Sequence, residues 1–438
     1  MNKLSAGIRC LIFTVAILFG GVALSTAEEF RLKNDVTVVY EYIPHTQIVS
    51  VQAWIKTGSV NEDSGNNGIS HFLEHILFKG TKNFAPDEID KIVESSGGLM
   101  NAGTSKDYTT YYVTLPAYNA EVAFKVISDM VFNASFIPEE IEKEKPVVIQ
   151  EIQRMFDNPT YDMWRDAINL LFTGTPYSME IIGTEENVNA FAQKTLLEYY
   201  RTHYHPQNTT LVIVGDLAFN EAQKLADKYF SVASSAKAAK GYDKVWKPAI
   251  KTSVVKTYQR DVAQDYILLA YQLNATAKDA PVYEVLSEIL SGGEYSLLNQ
   301  DLKYDMGVVT AVSAGKILSK NAGGYIVHMV TNPGDADKAV AALKTSLMKL
   351  TNGTLSDNEL QKAKNRLKSR TVFQKEKASS EAGEIGYSYT LGLKDYYHTY
   401  LKRIDAVTMK DVVASAGVIF SSPSIQYSTV PEMAKTAP

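Results

Sequence analysis

The segment His71-Phe72-Leu73-Glu74-His75 places two imidazoles and a carboxylate within one short stretch. On a helix of about 3.6 residues per turn, positions i and i+4 lie one above the other, so His71 and His75 can bind one metal ion. Glu74 stands beside the second histidine, where it can take the proton from a water that zinc brings towards a pKa of ~7. The order H-x-x-E-H inverts the commoner H-E-x-x-H zinc pattern. A surface helix with two histidines would read the same way, so the surroundings decide. Ile69, Phe72, Leu73, Ile76 and Leu77 supply apolar residues at helical spacing, and Ser70 or a neighbour is the expected N-cap. The expectation is a buried helix whose polar residues need partners.

A catalytic zinc commonly has three protein ligands and one open position. Glu144 and Glu151 are seven residues apart and so share one helix face, with Val147, Val148 and Ile152 marking an apolar side. One of the pair would ligate the ion and the other would orient a histidine through its second ring nitrogen. Spacing alone does not say which, and a solvated helix rich in Glu and Lys has the same pattern.

With these residues in view, the sequence resembles the pitrilysin/insulysin family of zinc metallopeptidases, in the branch that includes mitochondrial processing peptidase and its bacterial relatives. That family's pattern continues from H-x-x-E-H to a distant ligating Glu with another Glu seven residues before it. Here 75 residues lie between His75 and Glu151, and Glu144 is in place. The resemblance implies His71, His75 and Glu151 as zinc ligands, Glu74 as general base and Glu144 as the carboxylate behind a ligand. Phe78-Lys-Gly-Thr81, Tyr108-Thr-Thr-Tyr-Tyr112, and Tyr204-His-Pro-Gln-Asn208 running into Val212-Ile-Val-Gly-Asp216 look like further family landmarks. Asn101, Ala102, Gly103 and Thr104 resemble the family's exposed edge strand, to which an extended peptide substrate adds by backbone pairing. An ordinary edge strand or turn is the plainer reading of that segment. Donors of this type also accept manganese or cobalt, so zinc is the expectation from ligand type and family.

The chain has 438 residues, 45% of them hydrophobic, which suits a globular protein of two or more domains. Lys3 and Arg9 precede an apolar run from Cys10 to Leu24, closed by Ser25-Thr26-Ala27. Residues 1–27 therefore read as a cleaved signal peptide, placing the mature protein in the periplasm or outside the cell. An uncleaved anchor is the alternative, although the run is short for a span of about 20 residues. Cys10 is the only cysteine, so the mature chain has neither disulfides nor thiolate chemistry. The full chain's 44 basic residues, two of them in the leader, face 49 acidic ones, and no basic cluster points to nucleic acid.

Residues 233–250 read as a linker, because Ala233 to Asp243 lacks apolar periodicity and Pro248 follows. Residues 28–232 form the expected N-terminal zinc domain and 251–438 a homologous, non-catalytic one. Alternating segments at Val36–Tyr42, Thr110–Thr114, Tyr266–Tyr271 and Tyr325–Val330 read as strands among helical stretches, giving an α+β pattern in both halves. The resemblance adds that two such domains face each other across a chamber. Phe136–Lys145 is echoed by Leu355–Lys364, and Leu286–Gly293 stands where the second half should have its motif helix, without an H-x-x-E-H. His203, His205, His328 and His398 are read as structural or surface residues.

Members that complete the site from the C-terminal domain have Arg and Tyr where this chain has Lys303 and Thr310. Lys lacks the planar fork of Arg, and Thr is too short to reach a peptide carbonyl as Tyr does. The expectation is a two-chain endopeptidase, a heterodimer in which a second homologous subunit supplies the Arg/Tyr pair. Otherwise a homodimer serves, with Lys303 and Thr310 sufficing or Tyr304 standing in. A non-catalytic assembly subunit or a zinc- or peptide-binding module is the alternative of another class; the intact set His71, Glu74, His75 and Glu151 argues against the first, and Glu74 against the second.

Overall fold

The structure, a computed structural model, describes residues 27–231, 242–352 and 355–432. The expected signal peptide lies almost wholly outside these residues, as does the first part of the expected linker. No helix among the described residues is long and apolar enough to cross a membrane.

The first half builds a sheet from β1 (Glu28–Arg31), β2 (Thr37–Tyr42), β3 (Ile48–Ile55), β4 (Leu99–Thr104), β5 (Thr109–Pro116) and β6 (Thr209–Gly215). The second uses β7 (Val254–Arg260), β8 (Asp265–Leu273), β9 (Ala311–Leu318), β10 (Gly323–Thr331) and β11 (Ser424–Pro431). The strand orders are β1-β2-β6-β3-β5-β4 and β7-β11-β8-β10-β9. Apart from the extra β1, the two orders are the same. The parallel pairs correspond as well, β2 with β6 and β7 with β11. The fold is therefore α+β, two copies of one sheet-and-helix unit; three of the four strand segments expected from alternation lie within observed strands, and the fourth, Val36–Tyr42, starts one residue before β2. The echoed segments also match, as starts of the helices Pro138–Phe156 and Asp357–Gln374.

The central strands are buried on both faces, which explains their unbroken apolar runs. Successive side chains point to opposite sides, so one strand feeds two cores. Val38, Tyr40, Leu211 and Ile213 join Phe72, Leu73 and Ile127 in the main core of the first half. Val39, Trp54, Val212 and Val214 instead meet Ala382 and Ile385, on a helix of the second half, Ala378–Thr390. The exchange is reciprocal. Leu268 and Ala270 of the second sheet pack on Met163, Ala167 and Leu171 of the first half's helix Tyr161–Leu171. Each fully buried aliphatic side chain there stabilises the joint by about 1.5–3 kcal/mol. A glutamine from each sheet pins the crossing helix: Gln52 Nε2 donates to Ser379 O at 2.9 Å, and Gln272 Nε2 to Leu171 O at 2.8 Å. A Cβ at Gly386 would lie 2.1 Å from Trp54 Nε1, so glycine allows the helix to sit this close. The strands divide between the halves, while one helix of each half crosses over. The end of the linker is also held, since Trp246 is buried and its N–H donates to Asn321 O at 2.9 Å.

One joint carries a pH dependence. Glu41 on β2 is buried against Glu381 of the exchanged helix, which also takes the Tyr397 hydroxyl and lies 3.6 Å from Lys375 Nζ. Burial, and then the charge of Glu381, push the Glu41 carboxyl from 4.5 up to about 8. A carboxyl raised in this way stabilises the fold fully below its unfolded value, and that contribution is lost as pH climbs through the folded value. The melting temperature is therefore expected to fall between pH 5 and pH 9. Glu41→Gln should flatten that slope and raise stability at the alkaline end, which thermal melts across the range would show.

Candidate metal centre

The motif forms the helix Ile69–Ile76, with Phe72, Leu73 and Ile76 buried and His71, Glu74 and His75 on the half-open side. Ser70 does not cap it. The N-cap is Gly68 at φ 98°, where a Cβ would lie 2.7 Å from Ile182 O, so glycine is required. The capping acceptor comes from outside the helix. Glu62 Oε1 accepts the Ser70 N–H, and its Oε2 accepts the Gly68 N–H, each at 2.8 Å. A side chain that receives N–H groups six and eight residues along the chain forms no local cap pattern, so the sequence carries no signal of it.

The second helix, Pro138–Phe156, buries Ile141, Glu144, Val148 and Ile152. Val147, expected on the apolar side, is exposed. The geometry divides the two glutamates. Glu144 Oε1 lies 2.9 Å from His75 Nδ1 and its Oε2 lies 2.9 Å from Lys79 Nζ, so both oxygens are engaged. Glu151 Oε2 faces His75 Nε2 at 3.6 Å and His71 Nε2 at 3.9 Å. One donor atom from each of His71, His75 and Glu151 lies within 4.8 Å of the others, the one such metal-capable group among the described residues. A tetrahedral ion with bonds of about 2.1 Å separates its ligands by ~3.4 Å, so these spacings need only a small contraction. Two imidazoles and a carboxylate are a zinc donor set, and the residues fit the ion.

Electrostatics sort the roles further. Burial, followed by the neighbouring His75, holds the His71 imidazole down to about 4, so it is neutral and ready to ligate. Burial would lower His75 too, but its bond to Glu144 and the charges of Glu151, Glu144 and Glu74 raise it. Glu144 is buried yet kept below the usual carboxylate range by His75 and Lys79. Glu74 goes the other way. Burial raises its carboxyl against the pull of a 2.5 Å bond from the Thr104 hydroxyl to Oε2. Thr104 ends β4, the outermost strand of its sheet, so Asn101, Ala102, Gly103 and Thr104 border a free strand edge beside Glu74.

Two family profiles match consecutive parts of the chain: insulinase (peptidase family M16) over residues 37–185, and the peptidase M16 inactive domain over residues 190–367. The chain belongs to peptidase family M16. A protein of Rickettsia bellii (strain RML369-C) named as a zinc protease is 28% identical over 395 residues, 90% of this chain and 94% of its own length. The probable mitochondrial-processing peptidase subunit beta of Schizosaccharomyces pombe is 26% identical over 428 residues, 94% of this chain and 93% of that one. Among solved structures, a protease from Helicobacter pylori superposes with a TM-score of 0.87 at 25% identity, covering 93% of this chain and all of that one. A Pseudomonas fluorescens structure titled as an M16 inactive domain shares the fold at a TM-score of 0.84 and 16% identity. These structures share one architecture with this chain, and fold alone does not decide activity, so the side chains must.

The second half of this M16 chain has no metal-capable group among its described residues. Helix Ala280–Ser291 stands where the first half has its motif helix, and Asp357–Gln374 stands for the glutamate helix. By the echo between the halves, Arg370 falls at the place of Glu151. Arg370 Nη2 meets Glu288 Oε2 at 2.9 Å, and Arg366 holds the other oxygen. An ion pair fills the place of the metal group. A cavity of about 390 Å³ beside it is lined by Glu284, Glu288, Lys316 and Arg370, and no residue of the His71 cluster reaches it.

His45, His203, His205, His328 and His398 belong to no metal-capable group among the described residues. His203 Nδ1 pairs with Thr57 Oγ1 at 3.1 Å, and His328 lies between the rings of Trp164 and Tyr266. His205 is buried with neither ring nitrogen bonded, and His398 is exposed. Lys303 Nζ lies 3.6 Å from Glu294, and Thr310 Oγ1 donates to Val330 O at 3.2 Å, so both are engaged within their own half. Tyr304 donates to Glu294 as well.

Proposed function

We propose that this chain is a zinc endopeptidase that hydrolyses peptides or unfolded segments. The carrying observation is the convergence of His71, His75 and Glu151 with Glu74 beside them and a free strand edge adjoining. His71, His75 and Glu151 would hold the ion, with His75 offering Nε2 because Glu144 occupies its Nδ1. When bound, zinc supplies Lewis-acid polarisation of the scissile carbonyl and acidifies the attacking water. Glu74 takes that water's proton and passes it to the leaving amine nitrogen. Burial raises its carboxyl, which strengthens it as an acceptor for that proton. The Thr104 hydroxyl fixes one Glu74 oxygen, and Glu144, balanced by Lys79, fixes the His75 ring. Extended peptide pairs with Asn101 to Thr104, a mode that reads backbone and so favours unfolded segments over a sequence.

The finer reading is an exported catalytic subunit of a two-chain enzyme. It is supported by the basic and apolar leader, and by Lys303 and Thr310 standing where the resemblance implies Arg and Tyr. The chain from Glu28 onward is tested on a quenched unstructured peptide, alone and with a homologous second subunit. Full activity of a homodimer with no second gene product would remove the partner. An exported protein whose N-terminal sequence starts at Met1 would remove the cleaved leader.

A further inference from the structure

We propose that Glu62 is a positioning residue for the metal centre: it fixes the N-terminal end of the helix that presents His71, Glu74 and His75. This rests on the zinc reading of the centre, and it assigns a role to a residue that touches neither metal nor substrate.

Glu62 follows the short 3-10 turn Ser59–Asn61 and is only 5% exposed. A buried carboxylate is costly unless its oxygens are well bonded. Both are. Oε1 takes the Ser70 N–H at 2.8 Å, and Oε2 takes the Gly68 N–H at 2.8 Å and Asn67 Nδ2 at 3.0 Å. Ser70 immediately precedes His71, so the grip lies one residue from the first imidazole. A helix needing only a cap is served by Ser, Thr, Asn or Asp at the N-cap itself, and here that position is Gly68, with no side chain. A charge delivered from a separate segment therefore holds the helix against the rest of the half and also closes its free N–H groups.

The same segment is tied to the second ligand helix. Asn67 Nδ2 also donates to Glu180 O at 2.7 Å, and Asn187 Nδ2 donates to Asn67 O at 3.1 Å. Asn187 lies on the helix Glu185–Ala190, and Glu185 accepts from Gln153 on the helix that carries Glu144 and Glu151, at 3.3 Å. Glu62 thus closes a chain of contacts between the two helices whose side chains must meet. A metal site loses function when its ligands drift by about 1 Å, which such a chain opposes.

The test compares the full mature chain with Glu62→Gln, which keeps the size but replaces one acceptor oxygen with a donor facing N–H groups. Zinc affinity is measured by chelator competition on folded protein, with kcat, KM and the melting temperature of the zinc-free chains. Zinc affinity should fall about 10- to 100-fold. The kcat should fall while KM stays within about twofold, because peptide is held by the β4 edge. A lower melting temperature with unchanged zinc affinity and kcat would reduce Glu62 to a stabilising cap and overturn the proposal. Should Glu62→Gln fail to fold, Glu62→Asp, which keeps the charge on a shorter arm, is measured in the same way. A parent chain that binds zinc but cleaves no peptide would overturn the peptidase reading alone. Equal zinc affinity and kcat in parent and variant would overturn the positioning role alone.

Discussion

Glu74→Gln is expected to lose about 10²- to 10⁴-fold in kcat while keeping its zinc. The amide retains the size and an acceptor for the Thr104 hydroxyl, which donates to Glu74 Oε2. It cannot take a proton from water. His71, His75 and Glu151 do not depend on the Glu74 charge for their convergence, since the carboxylates nearest the imidazoles are Glu144 and Glu151. Zinc stoichiometry and peptide turnover measured on one preparation check both halves of the expectation. A variant with near-normal turnover would remove Glu74 from the proton transfer.

Glu151→Gln and Glu144→Gln should separate by size of effect, although both residues project from one face of one helix. Glu151 is the carboxylate facing both Nε2 atoms, and replacing it removes a ligand together with the negative charge it brings to the ion. Zinc should no longer stay bound through gel filtration, and activity should vanish with it. Glu144 touches His75 at Nδ1 and Lys79 at its other oxygen, so its loss frees the ring to turn and leaves Lys79 unpaired. Replacing a residue that orients a ligand costs about 10- to 100-fold in metal affinity. Chelator competition on the two variants should therefore rank Glu151→Gln well below Glu144→Gln. The reverse order would exchange the two assignments.

Much of the centre was legible because it is local. His71, Glu74 and His75 lie within one turn and a half of helix, and Glu144 and Glu151 within two turns of another, so helical period alone puts each set on a face. Helical spacing does not say which glutamate turns to the Nε2 atoms; the resemblance implied Glu151, and the approach of the two helices puts Glu151 there while His75 and Lys79 occupy Glu144. Glu62 and the Thr104 bond to Glu74 left no periodic trace, since both act across segments joined by tertiary contact. The repeated architecture was legible in the echo of Phe136–Lys145 by Leu355–Lys364, which start equivalent helices. The crossing of helices Tyr161–Leu171 and Ala378–Thr390 was not. Their apolar faces look like those of any helix, and only the doubly buried strands they cover, such as β6, hint that a second layer is needed.

The most direct test of the central claim is hydrolysis of a quenched, unstructured peptide by the protein in its native assembly, before and after zinc is stripped with a chelator and then restored. The account predicts cleavage that stops with the chelator, returns with zinc, and is absent when the chain carries His71→Ala. Cleavage that survives chelation or the loss of His71, or a folded, zinc-loaded assembly that cleaves no peptide, would contradict it.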